Sequence, residues 1–194
     1  MEKLKNFMKE IIDINDEEWE YIKNVSTVKS FAKGENLNFL TQTPRKIAFI
    51  FSGIVRSYII EEDGKDYTWG FHIYKKSAPV NTLFVVDYLS LLTDTDSILH
   101  FDVLEECQIV FLDYSLLVEL YSQNLKWQHY SRTITEEAYV LTRKRALILL
   151  SKSAKERLEI LKKEFPSIFQ KVPNYYIASY LGITPQSLSR LQNL

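Results

Sequence analysis

Residues 174–194 constrain the fold of this chain more than any other segment. They read NYYIASYLGITPQSLSRLQNL, two short helical patterns that meet at Gly182. Glycine suits a sharp turn because it alone adopts a positive φ at little cost. Thr184 and Pro185 predict a new helix, with a hydroxyl N-cap followed by proline at the first helical position. Small and apolar residues fall where they would bury one face of each helix against the other: Ile177, Ala178, Leu181, Ile183, Leu188 and Leu191.

The outer face of the second helix is predicted to carry polar side chains. They are Thr184, Gln186, Ser187, Ser189 and Arg190. Side chains of these types can reach base edges and phosphates in a major groove. The segment therefore predicts a helix-turn-helix that reads DNA. Two helices joined by a glycine turn also occur in ordinary α-helical domains, so a purely structural role remains an alternative.

Charge is distributed unevenly along the chain. Residues 1–114 carry 12 Lys and Arg against 19 Asp and Glu, whereas residues 115–194 carry 12 against 6. A basic C-terminal part suits a polyanionic partner, although the cations could instead decorate solvated helix faces. No apolar run approaches the length of a membrane span, and the N-terminus lacks the apolar core of a signal peptide. A cytoplasmic protein without a membrane partner is expected.

The first part of the chain combines a helical start with many short strand-like runs. Residues 4–24 are predicted to be helical, and residues 25–112 to form a β-sandwich, roll or barrel. Glu62 to Lys65, between two apolar runs, predicts a hairpin turn, and residues 82–92 could form a helix. The turn signals between runs are Gly34, Thr43-Pro44, Gly53 and Asp63-Gly64.

A long helix without Gly or Pro is predicted over residues 116–150. Trp127, Ile134, Leu141 and Ile148 recur every seven residues in it, and Tyr130 and Ala138 widen this apolar stripe. A seven-residue repeat favours a coiled-coil partner, and packing of the stripe on the β domain of the same chain is the alternative. A capping box at Ser153 to Glu156 then predicts the start of a further helix.

An acidic β-roll, a long heptad helix and a C-terminal helix-turn-helix, in that order, resemble the Crp/Fnr family of bacterial transcription regulators. The run IAFIFSGIVRSY is similar to the strand–Gly–strand signature of the family, around Gly53. SAKERLEILKKEFP followed by VPNYYIASYLGITPQSLSR resembles a subgroup common in Bacteroidetes-type bacteria. The resemblance implies an α+β fold with three parts: an antiparallel, jelly-roll-like β-roll similar to a cyclic-nucleotide-binding domain (1–115), a dimerisation helix (116–150) and a helix-turn-helix domain (151–194).

The resemblance also implies a homodimer that binds a palindromic DNA site, works with RNA polymerase and senses a small molecule in its β-roll. Recognition helix 184–194 would enter the major groove. Gln186, Ser187 and Arg190 would touch bases, and Thr184 and Ser189 would meet phosphates. The dimer seam would be formed by Trp127, Ile134, Leu141 and Ile148. No catalytic constellation is recognisable, so the chain is not expected to be an enzyme.

One departure from the family concerns the phosphate-binding cassette. Cyclic-nucleotide members carry Gly-Glu and, about ten residues later, Arg-Ser or Arg-Thr. In VVDYLSLLTDTDSILHF, Asp87 falls near the glutamate position, but Asp96 and Ser97 occupy the arginine neighbourhood. Acidic side chains would repel a phosphate, so cAMP is not the expected effector. A pocket for an unidentified ligand is expected between the roll and the long helix. Its candidate lining residues are Arg56, Tyr58, Asp87 and Ser97, with a solvated strand position as the alternative for Arg56.

No cofactor or metal is expected. One cysteine, Cys107, cannot hold an iron–sulfur cluster, and an inert packing role is expected for it. His72, His100 and His129 stand alone, whereas a cupin-type metal site needs clustered ligands. The competing function is a sensor protein that binds cAMP or another small ligand. Its C-terminal helices would make only protein contacts.

Overall fold

The computed structural model describes residues 1–37 and 46–193, so the turn signal at Thr43-Pro44 lies outside the described residues. With 51% helix and 25% strand, it confirms the α+β class. The strands are β1 (Ser26–Phe31), β2 (Lys46–Ile60), β3 (Asp66–Ile73), β4 (Phe84–Val85) and β5 (His100–Asp113). The helices are α1 (Glu2–Lys9), α2 (Asp16–Asn24), α3 (Val80–Leu83), α4 (Tyr88–Thr93), α5 (Tyr114–Gln123), α6 (Leu125–Ser151), α7 (Ala154–Glu164), α8 (Ile168–Lys171), α9 (Asn174–Tyr180) and α10 (Pro185–Gln192).

Two long strands organise the antiparallel sheet. Its order is β1-β5-β2-β3, and β4 pairs with β2. The register between β2 and β5 shifts around Gly53. Gly53 has a φ of +81°, and a Cβ added there would lie 2.2 Å from the backbone oxygen of Glu106. Only glycine fits this approach, so the strand–Gly–strand run marks an irregularity within one continuous strand. The predicted β-roll is confirmed.

Two local expectations within the β region have opposite outcomes. The predicted hairpin joins β2 to β3, where the backbone N–H of Lys65 donates to Asp63 Oδ1 (3.0 Å). The helix considered for residues 82–92 does not form as one element, because a short strand separates α3 from α4. Phe84 and Val85 pair with β2 instead, and Asp87 then caps the short α4. Backbone pairing with β2 overrides the local helical pattern there.

The helical segments are also broken where single helices were expected. Residues 10–15 separate α1 from α2, and Asn15 forms a capping box with Glu18. The single helix expected over 116–150 is wrong, because Asn124 divides it into α5 and the 27-residue α6. The side-chain oxygen of Asn124 accepts from the backbone N–H of Lys126 (2.8 Å) and so caps α6.

The buried apolar side chains form three clusters. One lies between the sheet and the helices and contains Phe49 and Trp127. A second fills the roll around Ile50. The third joins the roll to the C-terminal helices, because it contains both Phe71 of β3 and Leu188 of α10, and the Phe71 ring centroid lies 5.2 Å from that of Tyr180 in α9. The helix-turn-helix is therefore seated on the roll. No helix among the described residues has the length and apolar character needed to cross a membrane.

Candidate nucleic-acid interface

The predicted helix-turn-helix forms at α9 and α10. Gly182 sits between the helices with a φ of +64°, as expected for a glycine turn. The backbone N–H of Ile183 donates to the carbonyl of Ala178 (3.0 Å), which closes the turn. Ile177, Ala178 and Leu188 are fully buried, so each helix commits one face to the interior. The inner face is thus complete, and the outer face of α10 is left for other contacts.

The start of α10 is fixed by local hydrogen bonds. Thr184 Oγ1 accepts from the backbone N–H of Ser187 (3.2 Å) and lies 3.0 Å from the Ser187 hydroxyl. Pro185 follows in the first turn. Gln186, Ser189 and Arg190 are exposed, whereas Ser187 is half-buried. The five predicted DNA-binding residues therefore lie on α10 and its N-cap, and all of them except Ser187 are exposed.

A buried arginine joins the roll to α9. Arg56 of β2 is 1% exposed, and its Nη2 donates to Asp66 Oδ2 (2.7 Å) and lies 3.6 Å from Asp102 Oδ2. Its guanidinium is stacked between the rings of Tyr58 and Tyr176, at 4.0 and 3.9 Å from their centroids. Tyr176 belongs to α9, so this cation–π contact joins the β-roll to the helix-turn-helix.

Further hydrogen bonds reinforce the same junction. The hydroxyl of Tyr175 donates to Asp66 Oδ2 (2.7 Å), and Ser179 Oγ accepts from the backbone N–H of Thr68 (2.8 Å). Burial acts to raise the pKa of Asp66, but hydrogen bonds from Arg56 and Tyr175 outweigh it and hold the pKa below its usual value. We call Arg56, Tyr58, Asp66, Asp102, Tyr175 and Tyr176 the Arg56 cluster.

The long helix α6 contacts both the β2–β3 hairpin and α9 through Arg145. Its Nη2 donates to the carbonyl of Tyr180 (2.6 Å), and its Nε donates to the carbonyl of Trp69 (3.3 Å). The guanidinium also lies 3.5 Å from the ring centroid of Tyr180. Hairpin, long helix and helix-turn-helix therefore meet at one polar junction, which sets how α10 is presented.

Neither a family model nor a curated protein matches this sequence. Solved structures do match. FixK2 from Bradyrhizobium japonicum gives a TM-score of 0.72 at 18% identity, covering 87% of this chain and 83% of FixK2. A protein of Eubacterium rectale assigned to the Crp/Fnr regulators gives 0.66 at 17% identity, covering 93% and 83%. The c-di-GMP-responsive global regulator CLP of Xanthomonas campestris gives 0.64 at 16% identity, covering 90% and 88%.

The chain has the Crp/Fnr fold. The order of roll, long helix and helix-turn-helix agrees with the resemblance drawn from sequence. The assignment to a Bacteroidetes-type subgroup stays a prediction.

The apolar stripe of the long helix α6 faces the interior of the same chain in its first half. Trp127 is 1% exposed, and its Nε1 donates to Glu18 Oε1 (3.1 Å) in the same chain. Placing Trp127 in a dimer seam is therefore wrong. Ile134 is half-buried against the same intrachain core, as the alternative interpretation of the stripe held. Leu141 and Ile148 are half-buried. Among the described residues, the exposed apolar side chains of α6 are Leu125 at its start and, in its second half, Tyr139, Val140, Leu147 and Leu150.

The four candidate ligand residues fall into two contact groups. Asp87 Oδ2 accepts from the Ser97 hydroxyl (2.8 Å), while Asp87 Oδ1 caps α4. Arg56 and Tyr58 belong to the Arg56 cluster, so the alternative of a solvated Arg56 is wrong. Within the part of the chain that the structure describes, no hydrogen bond or ring contact links the two pairs. Asp87 already satisfies its oxygens locally, and sequence proximity to a family motif could not show this.

His72 and Cys107 are both buried in the described part of the chain. Burial lowers the pKa of His72 to about 4, and its Nε2 lies 3.0 Å from the Ser57 hydroxyl. Cys107 is 2% exposed, and burial raises its pKa to about 12, so its thiol is a poor nucleophile. Residues 1–37 and 46–193 hold no group of three or more His, Cys, Asp or Glu side chains placed to bind a metal.

Proposed function

We propose that this chain is a homodimeric, sequence-specific DNA-binding transcription regulator of the Crp/Fnr type, without catalytic activity and acting in the cytoplasm. One observation carries the proposal: α10 buries Leu188 fully and Leu191 partly, while Gln186, Ser189 and Arg190 stay exposed on its other face. The regulatory description of CLP, which has the same fold, supports the same function here.

The proposed base contacts follow from side-chain chemistry. Arg190 would grip guanine through O6 and N7, and Gln186 would read adenine or, through its carbonyl, cytosine. Ser187 lies in the first turn of α10 and is half-buried, and it would contact a base from there. Thr184 and Ser189 would meet phosphates. Since the Thr184 hydroxyl already caps α10, its phosphate contact would also strengthen the start of the recognition helix.

The proposed dimer uses the exposed half of α6. Val140 and Leu147 are 59% and 53% exposed and lie seven residues apart, and Leu150 follows at 84%. This spacing is that of a heptad seam, which two antiparallel or parallel copies of a helix can bury against each other. The half-buried Leu141 and Ile148 flank it. Two recognition helices held this way would suit a palindromic site, with RNA polymerase as a further proposed partner.

Fluorescence anisotropy on duplexes containing the chain's own upstream DNA tests the proposal. Across a salt series, affinity should fall steeply with salt, and cAMP should leave it unchanged. Arg190→Ala should lower affinity for the specific site by about 1–3 kcal/mol and relax base preference at one position. Arg132→Ala is the matched control, because Arg132 is 67% exposed on α6, away from α10.

Two results would count against this function. Equal weakening of specific and non-specific binding by Arg190→Ala would remove the base-reading role of that side chain. No binding to any duplex at low salt, with or without cAMP, would instead favour the ligand sensor whose C-terminal helices make only protein contacts.

A further inference from the structure

A cavity lies on the side of the roll that faces the helices. It lies among α1, the ends of β2 and β5, β4 and helices α4, α5 and α6, and it is partly open to solvent. Met8, Phe84 and Leu117 form apolar parts of its wall, and Leu92, 53% exposed, stands at its opening. None of the described residues that line it carries a charge. An anion such as a cyclic nucleotide would find no cation here.

The polar groups of this apolar cavity are the hydroxyls of Tyr114, Ser131 and Thr135 and those of three further tyrosines. Tyr88, Tyr121 and Tyr130 all line it, and Tyr130 is only 5% exposed. Tyr130 interacts electrostatically with both Tyr88 and Tyr121, so the three phenols lie close together. Among the residues that the structure describes, none accepts or donates a hydrogen bond to these three hydroxyls. None of these three hydroxyl oxygens is a fully buried polar atom without a partner, so each has surface that a ligand acceptor in the cavity could contact.

The protonation state of these phenols defines what they can recognise. Burial raises the pKa of Tyr130 well above its ordinary value and also raises those of Tyr88 and Tyr121. All three therefore stay neutral at physiological pH and can donate an O–H hydrogen bond. The cavity therefore offers hydrogen-bond donors and apolar surface, but its described lining residues include no charged side chain that would neutralise a charged ligand.

We propose that this cavity binds a small uncharged molecule with an apolar body and one hydrogen-bond acceptor, such as a carbonyl. Apolar surface buried against Phe84, Leu117 and Ile134 would supply most of the affinity, and a Tyr130 hydrogen bond would orient the acceptor. The site is separate from the Asp87–Ser97 pair and from the Arg56 cluster. The proposal concerns binding alone and does not depend on the proposed DNA-binding function.

A matched pair of probes tests the proposal on the full chain. Acetophenone carries the carbonyl acceptor, whereas α-methylstyrene has nearly the same shape and no acceptor. Both should bind saturably in titrations followed by NMR, with shifts at Ile134 and Thr135, and acetophenone should bind more tightly. Tyr130→Phe should weaken acetophenone about 3- to 10-fold, the range of one net hydrogen bond, and leave α-methylstyrene unchanged.

Tyr139→Phe is the control, because Tyr139 is 62% exposed on the same helix and lies outside the cavity. A second variant, Ser131→Phe, fills the cavity and should abolish binding of both probes even if Tyr130→Phe fails to fold. Absence of saturable binding by wild type would overturn the proposal. It would also fail if Ser131→Phe left both affinities unchanged, or if Tyr130→Phe weakened both probes equally.

Discussion

Replacing Arg56 with methionine isolates the charge at the junction between the roll and the helix-turn-helix. Arg56→Met keeps an apolar stem between the rings of Tyr58 and Tyr176 but removes the 2.7 Å bond to Asp66. Breaking a buried ion pair by removing one partner costs about 3–5 kcal/mol. Asp66 is 17% exposed and keeps the hydroxyl of Tyr175, so we expect a loss near the lower end, about 3 kcal/mol.

Urea unfolding of Arg56→Met, Asp66→Asn and the double variant measures this loss. A double-mutant cycle should give a coupling free energy of about 2 kcal/mol, because the second substitution removes the stranded carboxylate. The folded pKa of Asp66 is depressed, so its contribution is present above the unfolded pKa of about 3.9 and is lost as pH falls through the folded value. The difference between wild type and Arg56→Met should therefore stay constant from pH 7 to about pH 4 and shrink below.

A loss below about 1 kcal/mol at pH 7, with no coupling between Arg56 and Asp66, would refute this reasoning. It would mean that solvent reaches the pair and that the stacked tyrosines alone hold the junction. A difference that stayed the same well below pH 4 would exclude Asp66 as the group that Arg56 stabilises.

Two further substitutions probe other parts of the chain. Gly53→Ala should lower the free energy of unfolding by about 3 kcal/mol or more, because the new Cβ would lie 2.2 Å from a backbone oxygen at a residue with positive φ. Gly64→Ala is the control: Gly64 has a φ of +82° but nothing within 4 Å, so the loss should be only about 1 kcal/mol. Thermal or urea melts of both variants measure the difference. Leu147→Glu should convert the proposed dimer to monomers in sedimentation analysis. Leu125→Glu, at an 80% exposed position at the start of α6, should not. A dimer that persists in Leu147→Glu would mean that another surface forms the dimer interface.

Sequence reasoning succeeded where the determinants are local. The helix-turn-helix depends on Gly182, on the Thr184-Pro185 start and on apolar spacing within twenty-one residues, and all of these act within one or two turns of chain. The hairpin at Asp63 and Gly64 is equally local. Such features need no knowledge of the rest of the fold, so the pattern alone predicted them.

The remaining features depend on residues that are distant in sequence. Arg56 is buried because Tyr176, from the other end of the chain, covers it. The heptad spacing of Trp127 is real, but periodicity cannot distinguish a partner chain from the same chain's own helix α2. The break at Asn124 had a local signal, since asparagine is a favoured N-cap, and that signal was missed. The cavity tyrosines Tyr88, Tyr121 and Tyr130 come from three different helices, and their spacing in the sequence forms no recognisable motif.

The joint between α6 and α7 is very short. Only Lys152 and Ser153 separate the two helices, and Arg157 Nη1 donates to the carbonyls of Leu149 (3.0 Å) and Lys152 (2.9 Å) across it. Arg145 of α6 also donates to the carbonyl of Tyr180 in α9, so the helix-turn-helix has little freedom to move relative to the long helix. In the proposed dimer, the two helix-turn-helix units would therefore be held at a fixed separation. They would engage half-sites at one separation and reject DNA in which those half-sites are moved apart by a fraction of a helical turn.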